Sequence, residues 1–278
     1  LFRSLDAAQW AHALGAAATQ AAGLLSSGGT MSKPFHSGKA AMHGVMSANL
    51  ASRGFIARPD AIEASEGFLY THANAVDESA LAVEPGRFLI LDTIFKRHAA
   101  CMLTHSSLDN MLALRGEQGV APEQIREVKL EVHSSTLHVC NIQQPKTGLE
   151  AKFSFRVACA MALLGDDTAD IDAYTAERAT SPAVVSLRDR IGVTARDDLP
   201  GGTQRAIVTL QDGRTLTLDH DAYRPLGDLP RQRDIVARKF RSLVEPIAGG
   251  AVVGQLQESV YALPGAPDVT ALVARSIV

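Results

Sequence analysis

Apolar positions recur at helical spacing from the first residues of this chain. Ala7, Ala11, Leu14, Ala18 and Ala22 repeat every three or four places, so the stretch 1–25 is expected to be a packed helical region. A second helix is expected to start after Ser37, a capping residue, to open with Gly38 and Ala40, and to end at Gly54 after Arg53. Along it Ala41, Gly44, Ala48 and Ala51 form a narrow face of small residues. A third helix is expected from Ser106 or Ser107, with Asp109 in its first turn, to Gly116 or Gly119. The period then changes. Val128, Leu130 and Val132 alternate with Lys129, Glu131 and His133, the mark of a half-buried strand. Residues 150–164 return to a helix closed by Gly165, and Ala206–Leu210 and Thr215–Leu218 flank the hairpin turn Gln211-Asp212-Gly213-Arg214. A charged amphipathic helix is expected from about 228 to Val244, with a Pro/Gly break at 264–267 in the tail. The fold class is therefore mainly α with an inserted α+β domain. The segments are 1–117 (helical), 118–224 (α+β) and 225–278 (return to the helical domain).

Charge and composition remove several partners. A net charge of −3 with interspersed signs offers no attraction to nucleic acid or to an anionic membrane, and 5% aromatics leaves little for base stacking. No apolar run approaches the roughly 20 residues of a membrane span. Cys101, Cys140 and Cys159 are too few and too irregularly spaced for a disulfide framework, which points to a reducing cytoplasm. The chain begins with Leu1, inside what reads as packed helix. The expectation is a fragment whose N-terminal part is missing and whose helices expose an apolar face.

Three segments carry candidate chemistry. Lys33 and His36 stand three residues apart at an expected helix N-terminus, where unpaired N–H groups and the dipole favour an anion. An exposed lysine and a capping histidine at an ordinary helix start is the plainer alternative. The second segment, Phe95 to His105, holds Lys96, Arg97, His98, Cys101 and His105. A metal set of His98, Cys101 and His105 matches no standard zinc spacing, and a Cys101/His nucleophile lacks a local signature. A basic loop around a buried cysteine is the simple reading. In the third, Lys152 and Arg156 would share a helix face, a repulsive pairing unless an anion sits between them. No phosphate-binding glycine loop and no Gly-x-Ser-x-Gly elbow is present.

Taken in order, these segments resemble the MmgE/PrpD family, which includes 2-methylcitrate dehydratase, cis-aconitate decarboxylase and iminodisuccinate epimerase. The resemblance rests on Lys33-Pro34-x-His36-x-Gly38-x-Ala40-Ala41-x-x-Gly44, Gly54-Phe55, Glu66-Gly67, Phe95-Lys96 with Cys101 and His105, Glu150-Ala151-Lys152-Phe153-Ser154, Asp212-Gly213 and Lys239-Phe240. It implies a helical domain with an α+β lid, a homodimer, and a cofactor-free, metal-free lyase of the 2-methylcitrate dehydratase type. The substrate would be a small di- or tricarboxylate that loses a proton next to a carboxylate. Lys33, His36, Lys96 and His105 would be catalytic, and Cys101, Lys152 and Arg156 would bind substrate. An epimerase of the same fold, or a catalytically incompetent fragment or subunit, is the alternative. Phe155-Arg156 stands where dehydratases and decarboxylases often have a tyrosine, and Cys101 where decarboxylases tend to have a histidine. The Glu150-Ala151-Lys152-Phe153-Ser154 form looks closer to the epimerase-like and uncharacterised branches. The upstream Asp and His-Pro-Gly motif of the family does not appear in this sequence.

Overall fold

A computed structural model describes residues 5–27, 30–82 and 84–276. Leu1, on which the expectation of a missing upstream part rests, lies outside the described residues. The chain forms two compact units, Leu1–Phe88 and Leu89–Val278. The division at 1–117, 118–224 and 225–278 stands as a reading of the sequence.

In the first unit, α1 (Ala7–Ala18) packs against α2 (Ser32–Ser52). Asp6 and Gln9 close a capping box at the start of α1. Gly15 is required there, because a Cβ would stand 2.2 Å from the Arg58 carbonyl oxygen. Helix α2 starts at Ser32, not after Ser37, and its first turn takes in Pro34, whose missing N–H has no helical partner at that position anyway. Lys33 and His36 therefore lie on the helix itself rather than before it. The small-residue face is realised only in part: Ala48 and Ala51 are buried, whereas Ala41 is exposed and nothing lies within 4 Å of a Cβ built on Gly44. The helix ends as read, with Gly54 at φ 86°. Beyond it the expected helical continuity fails. Residues 55–82 and 84–88 are turns and irregular chain around the short α3 (Phe68–His72) and a 3-10 turn (Glu78–Leu81), broken by Pro59, Gly67, Pro85 and Gly86.

The second unit holds the large core. Helix α4 (His105–Gly116) precedes β1 (Ile125–Val132). Then come α5 (Ser134–Cys140), α6 (Gly148–Ala151), α7 (Phe155–Leu164), α8 (Ala176–Thr180) and α9 (Pro182–Arg188). Strands β2 (Ile191–Ala195), β3 (Thr203–Leu210) and β4 (Thr215–Asp221) follow, then α10 (Leu229–Ala248), α11 (Gly250–Ala262) and α12 (Thr270–Ser276). The sheet runs β2-β1-β3-β4. Helices α5–α9 provide the crossover that the parallel β1–β2 pair demands, and β3–β4 is the antiparallel hairpin, with Gly213 at φ 89°. Phe155, Leu108, Met111, Leu130 and Met161 are fully buried in one core formed by α4, α7 and the sheet.

Two local expectations give way to tertiary hydrogen bonds. Ser106 and Ser107 do not cap α4. Ser106 Oγ donates to the Gly202 carbonyl at 2.9 Å, and Ser107 Oγ donates to Gln204 Oε1 at 2.6 Å. The expected helix 150–164 is also interrupted. Ser154 accepts a hydrogen bond from the Val157 N–H and caps α7, so the chain bends after α6. Lys152 and Arg156 consequently do not share a helix face. Glu131, on the polar side of β1, is nevertheless covered, held by Lys129 at 2.9 Å and Arg196 at 2.8 Å.

Candidate functional site

Residues 93–101 form neither helix nor strand, yet their backbone is fastened from several sides. The Ala99 N–H donates to the Thr168 carbonyl at 2.8 Å, and the Cys101 N–H to the Lys152 carbonyl at 2.9 Å. Lys239 Nζ, from α10, donates to the Lys96 carbonyl at 2.6 Å. Irregular backbone satisfied in this way can hold side chains in fixed directions without a regular element. The segment presents Lys96, which is exposed, and Cys101, which is half-buried.

The Cys101–Lys152 bond joins this segment to the bend between α6 and α7. Lys152 is half-buried, with its ammonium 5.5 Å from the centre of the Tyr174 ring. Burial pulls the Lys152 pKa down, against the opposing charges of Asp172 and Asp170. Arg156 is likewise half-buried and lowered by burial, and its guanidinium donates to Asn141 Oδ1 at 2.6 Å. Among the described residues neither cation has a carboxylate within 4.0 Å. A cation drawn partly out of water without an acidic partner favours an anion from solution.

On the other flank, Asp109 gathers three basic side chains. Its carboxylate accepts from Arg97 and from His98 Nε2 (3.2 Å), and His220 Nε2 lies 3.4 Å away. Burial would raise the Asp109 pKa, but the His98 bond and the charges of His98, Arg97 and His220 outweigh it and hold it below the usual value. His98 Nδ1 meets Thr168 Oγ1 at 2.7 Å, so a neutral ring that satisfies both contacts carries its proton on Nε2. Arg97, His98, Asp109, His220, Arg238 and Lys239 are among the residues lining a cleft of about 900 Å³.

His105 sits beneath this network. Its ring is fully buried, meets His98 edge-on at 4.8 Å, and has no hydrogen-bond partner on either nitrogen among the described residues. Burial first, then the neighbouring His98 and Lys96, push its pKa down to about 3, against the Asp109 charge. The imidazole is therefore neutral, with no exposed face to offer a substrate. The metal set considered from the sequence is not assembled: among the described residues no three His, Cys, Asp or Glu side chains converge as ligands.

The structure thus brings Lys96, Cys101, His105, Lys152 and Arg156 into one unit. Lys33 and His36 lie in the other, on the first turns of α2, exposed and half-buried respectively, with the His36 ring against Gly23. Sequence reasoning missed the Asp109 network. The sequence reads Asp109 as a first-turn acid, and no local spacing signals its contacts with Arg97 and His98. Thr168 reaches His98, and His220 reaches Asp109, from distant parts of the chain.

A model of the MmgE/PrpD C-terminal domain matches residues 98–261, and one of the MmgE/PrpD N-terminal domain matches residues 2–79. Cis-aconitate decarboxylase of Mus musculus is 26% identical over 253 residues, which is 87% of this chain and 51% of that protein. The Homo sapiens cis-aconitate decarboxylase is 26% identical over 283 residues, 98% of this chain and 58% of that protein. The chain spans about half the length of the curated relatives it matches. Among the described residues no helix is long and apolar enough to cross a membrane.

Proposed function

This chain belongs to the MmgE/PrpD family, and from that premise we propose that it contributes to a cofactor-free, dehydratase-like lyase acting on a small di- or tricarboxylate. A base takes the proton from the carbon next to a carboxylate. The C–H electron pair becomes enolate charge and then the new double bond, while the C–O bond breaks and the departing hydroxide is protonated to water. Such a path needs cations to hold the carboxylates and the developing enolate, together with a tuned base.

Lys96, Lys152 and Arg156 supply the cations in this reading, and Cys101 lines the same place. Lys33 and His36 keep the catalytic roles that the resemblance implies. The proton-carrying part expected of His105 passes to His36, because the His105 ring has no exposed surface. The working assembly is proposed to be a homodimer. An epimerase of the same fold, which returns the proton to the opposite face, is the second reading, favoured by the Glu150-to-Ser154 form of the third segment.

The observation that carries the proposal is the half-buried Lys152 and Arg156, without carboxylate partners among the described residues and joined through Lys152 to the segment of Lys96 and Cys101. It is tested by calorimetric titration with tricarballylate, a tricarboxylate with no hydroxyl to lose. Arg156→Ala and Lys152→Met are each expected to weaken binding about 10-fold or more, the scale of one hydrogen bond to a charged group. Unchanged affinity in both variants would remove this place as the carboxylate site.

A further inference from the structure

We propose that Asp109 is a positioning residue: by holding Arg97 and His98, with His220 at its edge, its carboxylate fixes the backbone segment 96–101 that presents Lys96 and Cys101. The inference rests on the reading of those two residues as part of the site, and it adds a residue that none of the sequence signals assigned. Its geometry is specific. The Asp109 side chain is 13% exposed and meets partners from two other segments, the irregular 93–101 stretch and β4. A buried carboxylate that accepts from charged groups makes stronger bonds than a neutral acceptor would.

The contacts also form a chain. Asp109 orients the His98 ring, and His98 Nδ1 meets the hydroxyl of Thr168, whose carbonyl accepts from Ala99 N–H. Thr168 therefore grips both the side chain of one residue and the backbone of the next. Lys239 Nζ closes the same loop from α10, bonding the Lys96 carbonyl and reaching the His98 carbonyl at 3.5 Å. Removing Asp109 would free Arg97 and His98 together. It would leave two nearby cationic-capable groups, Arg97 and His220, facing each other without the negative charge between them. The loop would then sample other directions, and the Lys96 ammonium with it. Arg205 and Asp219 offer a comparison, because they form an equally close ion pair across the β3–β4 hairpin without touching this segment.

The test has two readouts, one of which needs no substrate. Amide hydrogen exchange is expected to speed up at least 10-fold for residues 96–101 in Asp109→Asn, while the amides of β1 keep their wild-type rates. Asp109→Glu should recover most of the protection, and Asp219→Asn should leave the segment unchanged. With a polycarboxylate substrate, Asp109→Asn should lower kcat at least 10-fold with KM within threefold, because a misdirected Lys96 loses more in the transition state than in binding. If Asp109→Asn does not fold, Thr168→Val and His220→Ala each remove one link, and each should raise exchange in 96–101 several-fold. Wild-type exchange across 96–101 in every folded variant would overturn the proposal. Faster exchange without any wild-type turnover would uphold the positioning role and count against the lyase reading instead.

Discussion

Lys96→Ala is expected to lower kcat/KM by about 10² to 10³-fold, the scale of losing one preorganised charge opposite a developing anion. The variant should fold normally. Among the described residues the contacts that fasten this part of the chain use backbone atoms or neighbouring side chains: Lys239 bonds the Lys96 carbonyl, not its ammonium. Truncating an exposed lysine therefore removes the charge and leaves the loop in place, so stability should move by no more than about 0.5 kcal/mol. Steady-state kinetics with a citrate-type acid, alongside a thermal melt, checks both halves. Turnover within threefold of wild type in a folded variant would remove Lys96 from the site.

The largest effect on stability is expected at Gly148. A Cβ there would stand 1.8 Å from the Tyr174 carbonyl oxygen and 2.7 Å from its carbon. These are backbone atoms at the entry to α8, and α6 packs directly on that helix, so neither side can yield without moving an element. Gly148→Ala should therefore destabilise the protein by about 2–4 kcal/mol. Denaturant unfolding measures this. Gly44→Ala is the natural control: nothing lies within 4 Å of its added methyl, and inside a helix alanine is favoured over glycine by roughly 0.5–1 kcal/mol. Equal effects at the two glycines would contradict the close approach of α6 and α8.

Elements with a clean local period are legible in the sequence. The alternation at Val128, Leu130 and Val132 marks β1, Asp212-Gly213 marks the β3–β4 turn, and Gly54 and Gly165 close their helices with φ values of 86° and 88°. Errors arose where a residue's best partner is remote. Ser106 and Ser107 look like caps because the motif is local, but Gln204 and Gly202 outcompete the helix end for their hydroxyls. Lys152 and Arg156 looked paired because their spacing assumed one helix, and Ser154 was available to cap a second.

The site divides in the same manner. Lys96, Cys101 and His105 stand as candidates through the resemblance of their segment to the family. The burial of His105 has no such signal, since it depends on β3 and β4 closing over the start of α4. Asp109 shows the limit most clearly. Its identity and its helix were evident, yet its role depends on Arg97, His98 and His220 meeting at one carboxylate. Only the assembled unit supplies that arrangement.

In the proposed reaction this family member removes a proton beside a carboxylate without a cofactor. The most direct measurement is proton NMR of the protein in deuterated, chelator-treated buffer with citrate-type acids and cis-aconitate. Loss of water or carbon dioxide is expected, with solvent deuterium appearing only at the carbon next to a carboxylate, and the chelator should change nothing. Deuterium exchange with inverted configuration and no elimination would transfer the protein to the epimerase reading. Acids that bind but neither react nor exchange would rule out proton abstraction by this protein.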